Sequence, residues 1–355
     1  MKKILSLFQE ELRLERKTLE RLRGWKIQGV ETEGELQRVT DIPLEKIWNS
    51  SVDNESFSYY ISNINRIDEI FTRICGMENV SKHEIEELAS SITDTVEADQ
   101  KTAIRLVLAG ITTRKTYVKG ALDSGILSLI IGSRIGNTKH ELFQLCCAAL
   151  LHDVGMRRIH FDTTELNRKL SAKERKSLKL HPIQSYRIAN EELRLPNEIA
   201  RTVLQHHERW DGEGYPRGLK GADILFNARI IAVVDAFVAM ISERLWRRSM
   251  IGYGVIKAIL GDNQRKFDPE IVRELIRILG LYPIGSLVQL SDGSIGRVYG
   301  TNENTPLRPE VLILIDGTGA EFRDGTGPIV DLHNDKSLFI ANVVNPGSAK
   351  SMSKK

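Results

Sequence analysis

The chain has 355 residues, of which 41% are hydrophobic and 27% are charged, and these values are ordinary for a soluble globular protein. The formal net charge of +3 and the lack of a dense lysine and arginine block argue against a nucleic-acid polymer as a partner. The longest apolar stretch, residues 125–131, is far shorter than the roughly 20 residues of a membrane span. We therefore expect a soluble protein with no membrane span.

Three cysteines, Cys75, Cys146 and Cys147, are too few for a disulfide framework, and the adjacent pair lies in an apolar run. Free cysteines of this kind are typical of proteins in a reducing cytosol. Near the N-terminus, acidic residues follow the first lysines too soon for a secretory signal peptide. The sequence thus predicts a cytoplasmic location.

Residues 1–98 form a predicted helical region of unknown role. Apolar residues recur at helical spacing in residues 1–25, the pattern of residues 26–55 is irregular, and residues 56–98 are again helical in pattern. The first of these helices fits either a packing helix on the surface or a helix that forms a homodimer. Neither pattern indicates which signal such a region would sense.

Residues 99–281 have helical patterns throughout and predict an all-α domain. Ser171 and Glu174 have the spacing of a capping box that opens a helix. Asp268 followed by Pro269 has the form of a helix start, with a cap and then proline at the first helical position.

After this helical domain the pattern changes to short apolar runs between glycine-containing turns. The runs cover residues 286–290, 295–299, 310–315, 328–332 and 338–344. Such spacing is typical of hairpins. Residues 282–345 are therefore predicted to form a small β-barrel-like domain, and residues 346–355 a disordered polar tail.

Histidines and acids gather at the ends of the predicted helices. His152-Asp153 closes an apolar helix, His181-Pro182 opens one, and His206-His207-Glu208 ends another just before a glycine-rich turn at residues 211–216. Asp235 lies inside an apolar run, where a carboxylate without a partner would be costly to bury.

Together these motifs favour a metal site. A single histidine at a helix end is more often a cap or a core residue, but the joint occurrence of four such motifs has no equally simple structural explanation. Imidazole and carboxylate ligands together suit iron, manganese, zinc or nickel rather than calcium. Two ions bridged by a carboxylate can activate water and neutralise a phosphate, which suits a phosphodiester substrate.

The motifs resemble those of the HD-GYP domain family, over about residues 100–280. The resemblance rests on His152-Asp153-Val154-Gly155, His181-Pro182, His206-His207-Glu208, Asp211-Gly212-Glu213-Gly214-Tyr215-Pro216 and Arg229-Ile230 through Asp235. It implies a mainly α fold, namely an HD-superfamily helical bundle with a di- or trinuclear metal centre. It also implies hydrolysis of cyclic di-GMP to linear pGpG or to GMP in second-messenger signalling. The β-rich tail is similar to a C-terminal extension of such proteins.

The resemblance also assigns roles to single residues. His152 and Asp153 would be the catalytic pair, with Asp153 bridging two ions. The implied metal ligands are His152, Asp153, His181, His206, His207 and Asp235. The implied cofactor is a pair of iron or manganese ions, or one ion if the second site is too weak to hold its own.

The substrate side of the site is implied in the same way. Gly214, Tyr215 and Pro216 would shape the loop that faces the substrate. Arg244 and Arg247 match positions where the family places basic residues against substrate phosphates, and arginine suits bidentate phosphate contacts.

Two departures from the family pattern predict a weaker site. Gly120 stands where the family has a metal-binding histidine, and the nearby helix offers only Asp123 as a substitute acid. Met156 stands where the family commonly has a phosphate-binding lysine, although Arg157 and Arg158 follow at once.

Three functional hypotheses follow. The leading one is a metal-dependent cyclic di-GMP phosphodiesterase with reduced activity. The alternative is a catalytically degenerate relative that binds cyclic di-GMP, or a partner such as a diguanylate cyclase, and signals through its conformation. A nucleotide phosphohydrolase of HD type with another substrate is less favoured, because such enzymes lack the Gly-Tyr-Pro turn.

Overall fold

The computed structural model describes residues 54–108, 116–159, 170–242, 252–261, 265–322 and 326–344. All of them belong to one unit, Val39–Lys355. The predicted helix in residues 1–25 and the polar tail lie outside the described residues.

The described part of the chain is mainly helical before residue 280. Its α-helices are α1 (Asn54–Cys75), α2 (Lys82–Ala98), α3 (Gln100–Leu108), α4 (Thr116–Ile135), α5 (Lys139–Leu151), α6 (Ala172–Leu178), α7 (His181–Arg187), α8 (Asn197–Gln205), α9 (Phe226–Ile241), α10 (Gly252–Gly261) and α11 (Pro269–Leu279). Short 3₁₀ turns lie at Val154–Arg158 and Gly221–Asp223, and a π turn at Ile188–Glu192 extends α7. The predicted mainly α fold is confirmed.

Local sequence signals set several of these helix starts. The hydroxyl of Ser171 accepts a hydrogen bond from the backbone N–H of Glu174, whose carboxylate accepts one in return, so the predicted capping box at α6 is confirmed. Asp268 caps α11 with Pro269 in its first turn, also as predicted. Each such cap typically stabilises a helix by about 1 kcal/mol.

The helices share one hydrophobic core. Its buried side chains run from Tyr60 in α1 to Leu279 in α11, so the three helices before residue 108 pack into the same core as the later ones. At its centre is α4, in which every residue of the segment 118–132 except Gly120 is buried and which packs against α5 and α9. The core therefore continues across residue 98, where the sequence predicted a domain boundary. That boundary stays a prediction.

Among the described helices, none is both long enough and apolar enough to cross a lipid bilayer.

The C-terminal part is a five-stranded antiparallel sheet. The strands are β1 (Leu287–Leu290), β2 (Ile295–Gly300), β3 (Glu310–Ile315), β4 (Ile329–Asp331) and β5 (Ile340–Val343), in the spatial order β4-β3-β2-β1-β5. Each strand lies within or beside one of the five predicted apolar runs, which confirms the small β domain. The β1–β2 turn uses Gly293 at a positive φ of 87°, where a residue without Cβ is favoured.

The sheet packs on the helical part near the ends of α4 and α11. Arg134 in α4 forms a bidentate ion pair with Glu303. The hydroxyl of Thr301 donates to the carbonyl of Ile278 over 3.3 Å. Together these contacts tie the connection between β2 and β3 to α4 and α11.

Candidate metal centre

The ends of three helices bring the predicted histidines close together. His152 is the C-terminal cap of α5, His181 is the first residue of α7, and His206 is the C-terminal cap of α8. These three side chains are buried, and the apolar helices behind them are anchored in the core. Asp153 follows His152 directly, and Asp235 projects from α9.

Each of the three histidines is oriented by the helix turn that precedes it. The ring Nδ1 lies within hydrogen-bonding distance of the backbone carbonyl three residues earlier: His152 to Ala149 at 2.7 Å, His181 to Leu178 at 2.8 Å and His206 to Val203 at 2.7 Å. A carbonyl oxygen can only accept, so in each pair Nδ1 carries the hydrogen. In the neutral ring, Nε2 is then left as a lone-pair donor, which is the form that binds metals.

These lone pairs point at one another and at a carboxylate. The Nε2 atoms of His181 and His206 are 3.1 Å apart. Oδ1 of Asp153 lies 3.1 Å from Nε2 of His181 and 3.9 Å from Nε2 of His206. Since two lone pairs and a carboxylate repel each other, a cation among them would stabilise the arrangement.

Two groups of ligand atoms share Asp153. The first group is Asp153, His181, His206 and His207, and the second is His152, Asp153 and Asp235; within each group the atoms lie within 4.8 Å of one another. In the second group, Nε2 of His152 is 3.6 Å from Oδ1 of Asp235 and 3.7 Å from Oδ2 of Asp153. The structure thus brings together all six predicted ligands, and their role as ligands stays a prediction.

Lowered pKa values keep two of the candidate ligands, His206 and His207, neutral. Burial, followed by the neighbouring histidines, lowers the pKa of His206 well below its usual value and that of His207 to about 3. Both rings are therefore unprotonated at neutral pH and can act as ligands.

His152 and Asp153 are shifted in the opposite sense, toward their charged forms. Burial lowers the pKa of His152, but Asp153 and Asp235 together outweigh burial and raise that pKa to about 9. Burial raises the pKa of Asp153, but the surrounding histidines outweigh it and hold the pKa well below its usual range. The second group is thus a strongly negative environment that favours a cation.

The Gly-Tyr-Pro turn lies against the first group. The ring of Tyr215 is centred 4.9 Å from the ring of His207, and its backbone N–H donates to the carbonyl of the same histidine over 3.1 Å. The peptide bond between Tyr215 and Pro216 is cis. A Cβ on Gly214 would lie 2.3 Å from the backbone N of Arg209, so only glycine fits this approach.

Glu208 was named from the sequence within a motif but was given no role, and the structure shows that it anchors this turn. Glu208 is buried, and its carboxylate accepts hydrogen bonds from the backbone N–H groups of Arg217 at 2.7 Å and Leu219 at 3.0 Å. An acid directly after two candidate metal ligands was the only signal for it in the sequence. Glu208 closes the loop that carries Tyr215.

The arginines after Met156 are held by other partners. Arg157 pairs with Asp68 at 2.5 Å, and Arg158 pairs with Glu192 at 2.6 Å. Both guanidinium groups are thereby tied to α1 and to the π turn after α7. Neither replaces the lysine that the family commonly has at position 156.

Asp123 is likewise engaged away from both ligand groups. Its carboxylate accepts hydrogen bonds from the hydroxyl of Tyr60 and the ammonium of Lys119, each over 2.5 Å. All three side chains are buried. Asp123 therefore does not stand in for the histidine that is missing at Gly120.

Arg244 and Arg247 lie outside the described residues, so their role toward substrate stays a prediction.

Comparison with known families shows to which family the chain belongs. The model of the HD domain matches residues 72–271, and the model of a KOW domain associated with the HD domain matches residues 287–352. The chain belongs to the HD domain family, in its HD-GYP group. The family resemblance predicted from the motifs is thereby confirmed, and the β domain of this HD-GYP chain corresponds to the KOW-type extension.

Relatives of the HD-GYP chain cover parts of it. It is 27% identical over 234 residues to the cyclic di-GMP phosphodiesterase PdeB of Borreliella burgdorferi, an alignment that covers 66% of this chain and 59% of the relative. It is 32% identical over 168 residues to a cyclic di-GMP phosphodiesterase of Pseudomonas aeruginosa, covering 47% and 40% of the two chains. The chain thus spans about half the length of these relatives.

A solved structure shares the fold. The HDG"Y"P protein Bd1817 from Bdellovibrio bacteriovorus aligns with a TM-score of 0.51 and 16% identity, covering 76% of this chain and 81% of that one. At this identity the likeness supports the HD-GYP fold alone.

Proposed function

We propose that this protein hydrolyses cyclic di-GMP to pGpG or GMP with the help of divalent metal ions. The observation that carries the proposal is the pair of ligand groups that share Asp153. The names of the relatives support the choice of substrate, since both aligned proteins are cyclic di-GMP phosphodiesterases.

The residues present fit a metal centre. Imidazole and carboxylate donors together suit iron or manganese. When the rings of His152, His181 and His206 are neutral, their Nδ1 hydrogens leave each Nε2 as a lone pair directed into the site. Asp153, His181, His206 and His207 would hold one ion, and His152, Asp153 and Asp235 the other. The second group offers one imidazole where the first offers three, so we expect its ion to bind more weakly.

Divalent ions at these positions, when bound, would polarise the substrate phosphate and lower the pKa of water. The chain's own residues prepare the site for that chemistry. The three Nδ1 hydrogen bonds fix the imidazole orientations before any ligand arrives, which avoids reorganisation during the reaction. Tyr215 packs its ring beside that of His207 in the first group, and we expect it to limit the access of water on that side.

Substrate phosphates need cations as partners, and we infer that Arg244 and Arg247 are among them. The structure supports this inference indirectly, because Met156 carries no charge and Arg157 and Arg158 are paired with Asp68 and Glu192. We further propose that the protein acts in the cytoplasm, where its substrate is a signalling molecule.

Gly120 and Met156 favour a second candidate function. A chain that lacks one metal-binding imidazole and one phosphate-binding lysine could bind cyclic di-GMP without turnover and act as a receptor. A receptor of this kind would signal through a protein partner such as a diguanylate cyclase, or through a homodimer.

One experiment separates the two functions. The purified protein is incubated anaerobically with cyclic di-GMP and Fe(II) or Mn(II), and the products are resolved by chromatography. Formation of pGpG or GMP that is lost in Asp153→Ala would establish the phosphodiesterase. Intact substrate together with measurable binding would make the protein a receptor, and the absence of both would overturn both functions.

A further inference from the structure

Lys179 stands directly before the metal-ligand helix α7, at a fixed position. It is the C-terminal cap of α6, and its backbone N–H donates to the carbonyl of Arg175 over 3.2 Å. Two residues later, His181 opens α7 with its ring tied to the carbonyl of Leu178. The backbone of Lys179 is therefore held between a capped helix and a candidate metal ligand.

The side chain of Lys179 reaches toward the Gly-Tyr-Pro turn. Its ammonium lies 5.1 Å from the centre of the Tyr215 ring, within the range of a cation–π interaction. The residue is exposed, and among the described residues no carboxylate pairs with this ammonium. Its charge is thus held in place by an aromatic ring without being neutralised.

Tyr215 connects this ammonium to the metal centre. One side of the connection is the contact with Lys179, and the other is the contact with the ring of His207, whose centre is 4.9 Å away. Lys179 therefore lies at the rim of the first ligand group, one aromatic ring away from it.

The charges around the site indicate that Lys179 could serve as a cationic partner for substrate phosphates. Met156 is neutral, whereas Arg157 and Arg158 are neutralised by their carboxylate partners. A dinucleotide with two phosphodiesters needs cationic partners for both anionic groups. A lysine suits this task, since its compact charge sits on a flexible four-carbon stem that can move from a ring face to a phosphate.

We propose that Lys179 binds a phosphodiester of the cyclic dinucleotide and that Tyr215 holds its ammonium ready for this contact. The inference rests on the proposed function for the identity of the ligand. It extends that function by naming a substrate-binding residue outside the metal ligands and outside the Gly-Tyr-Pro turn.

The test measures binding apart from turnover. The 355-residue protein loaded with Mn(II) is titrated calorimetrically with the bis-phosphorothioate analogue of cyclic di-GMP, as wild type and as Lys179→Gln. Lys176→Gln is the matched control, because Lys176 is an exposed lysine on the same helix. We expect Lys179→Gln to raise the Kd about tenfold, as is typical for the loss of one charge-assisted contact, and Lys176→Gln to leave it unchanged.

Three further readouts exclude a merely structural effect. Lys179→Arg should retain most of the affinity, since it keeps the charge. The difference between wild type and Lys179→Gln should shrink at high salt, because exposed charges are screened. The Mn(II) content and melting temperature of Lys179→Gln should equal those of wild type.

The outcomes separate this inference from the proposed function. Binding by wild type with equal affinity in Lys179→Gln overturns the role of Lys179 and leaves the phosphodiesterase standing. Binding that depends on Lys179, in a protein that does not turn over cyclic di-GMP, supports the inference and overturns the enzyme. If wild type does not bind the analogue, the inference is wrong.

Discussion

Gly120 and Val238 face each other across the packed helices α4 and α9, and a Cβ placed on Gly120 would lie 4.0 Å from Cγ1 of Val238. Among the described residues outside α4 itself, no other atom lies within 4 Å of that Cβ. Val238 follows Asp235 by about one turn of α9, so a larger side chain at position 120 would project beside the second ligand group.

Replacing Gly120 with histidine should therefore strengthen the second metal site. The added imidazole would be a further ligand beside Asp235. We therefore expect this variant to retain close to two Mn(II) per chain after dialysis, and the wild-type protein to retain fewer. Gly120→Ala is the control, since it adds a Cβ without a ligand. It should leave the metal content unchanged and stabilise the fold by about 0.5–1 kcal/mol, because it removes glycine from a helix interior. Equal metal content in the two variants would show that position 120 does not face the second group.

Gly155→Ala should damage the first ligand group. A Cβ at position 155 would lie 2.4 Å from the carbonyl of His181 and 2.6 Å from the backbone N of Ser185, so α7 must move. We expect a loss of roughly 1–3 kcal/mol in the free energy of unfolding, typical of overpacking, together with weaker metal binding. Urea denaturation and metal analysis measure both effects.

A matched substitution at Gly125 tests whether the close approach to α7 causes the effect of Gly155→Ala. At Gly125 the nearest atom to an added Cβ is Cδ2 of Leu150 at 3.5 Å, an ordinary contact. Gly125→Ala should therefore leave metal binding near wild type and raise the free energy of unfolding by about 0.5–1 kcal/mol, because it removes glycine from the interior of α4. If both variants behaved alike, the close approach of Gly155 to α7 would not be what holds His181.

The buried ion pair of Asp123 and Lys119 should be sensitive to the loss of one partner. Asp123→Leu leaves the Lys119 ammonium buried without its carboxylate, and removing one partner of such a pair typically costs about 3–5 kcal/mol. The double variant Lys119→Met with Asp123→Leu should recover most of that loss, since neither charge remains. A double-mutant cycle by urea denaturation measures the coupling, and additive losses would contradict it.

The three cysteines should differ in reactivity. Burial raises the pKa of all three thiols, and that of Cys146 to about 12, but Cys75 is only half-buried and so remains accessible to a reagent. A thiol with a pKa near 12 stays protonated at pH 8, and only thiolates react with iodoacetamide. Mass spectrometry of the native protein at pH 8 should show labelling of Cys75 before the other two. Labelling of Cys146 at a similar rate would contradict the packing of α5.

Much of the fold and of the site could be predicted because the signals are local. The capping box at Ser171 and the cap at Asp268 each lie within a few residues of the turn they stabilise. The candidate histidines and Asp153 were also recognisable, since each stands at or beside a helix end that the apolar pattern marks, and Asp235 was recognisable as a lone acid inside an apolar run.

The remainder depends on partners far away in the sequence. Arg157 binds Asp68 across 89 positions, and Asp123 binds Tyr60 across 63. No periodic pattern relates such residues, because only the packing of α1 against the later helices brings them together. The sequence could therefore propose Asp123 and Arg157 as substitutes for missing site residues but could not show that both were already engaged.

The hydrogen bonds from His152, His181 and His206 to carbonyls three residues earlier have a consequence for how such a centre can evolve. Each imidazole takes its orientation from a four-residue piece of chain that includes its own acceptor. Surrounding sequence can then diverge, and a ligand such as the one absent at Gly120 can disappear, without turning the remaining rings. The centre is in this sense assembled from self-contained parts, and an active ancestor could lose one part at a time.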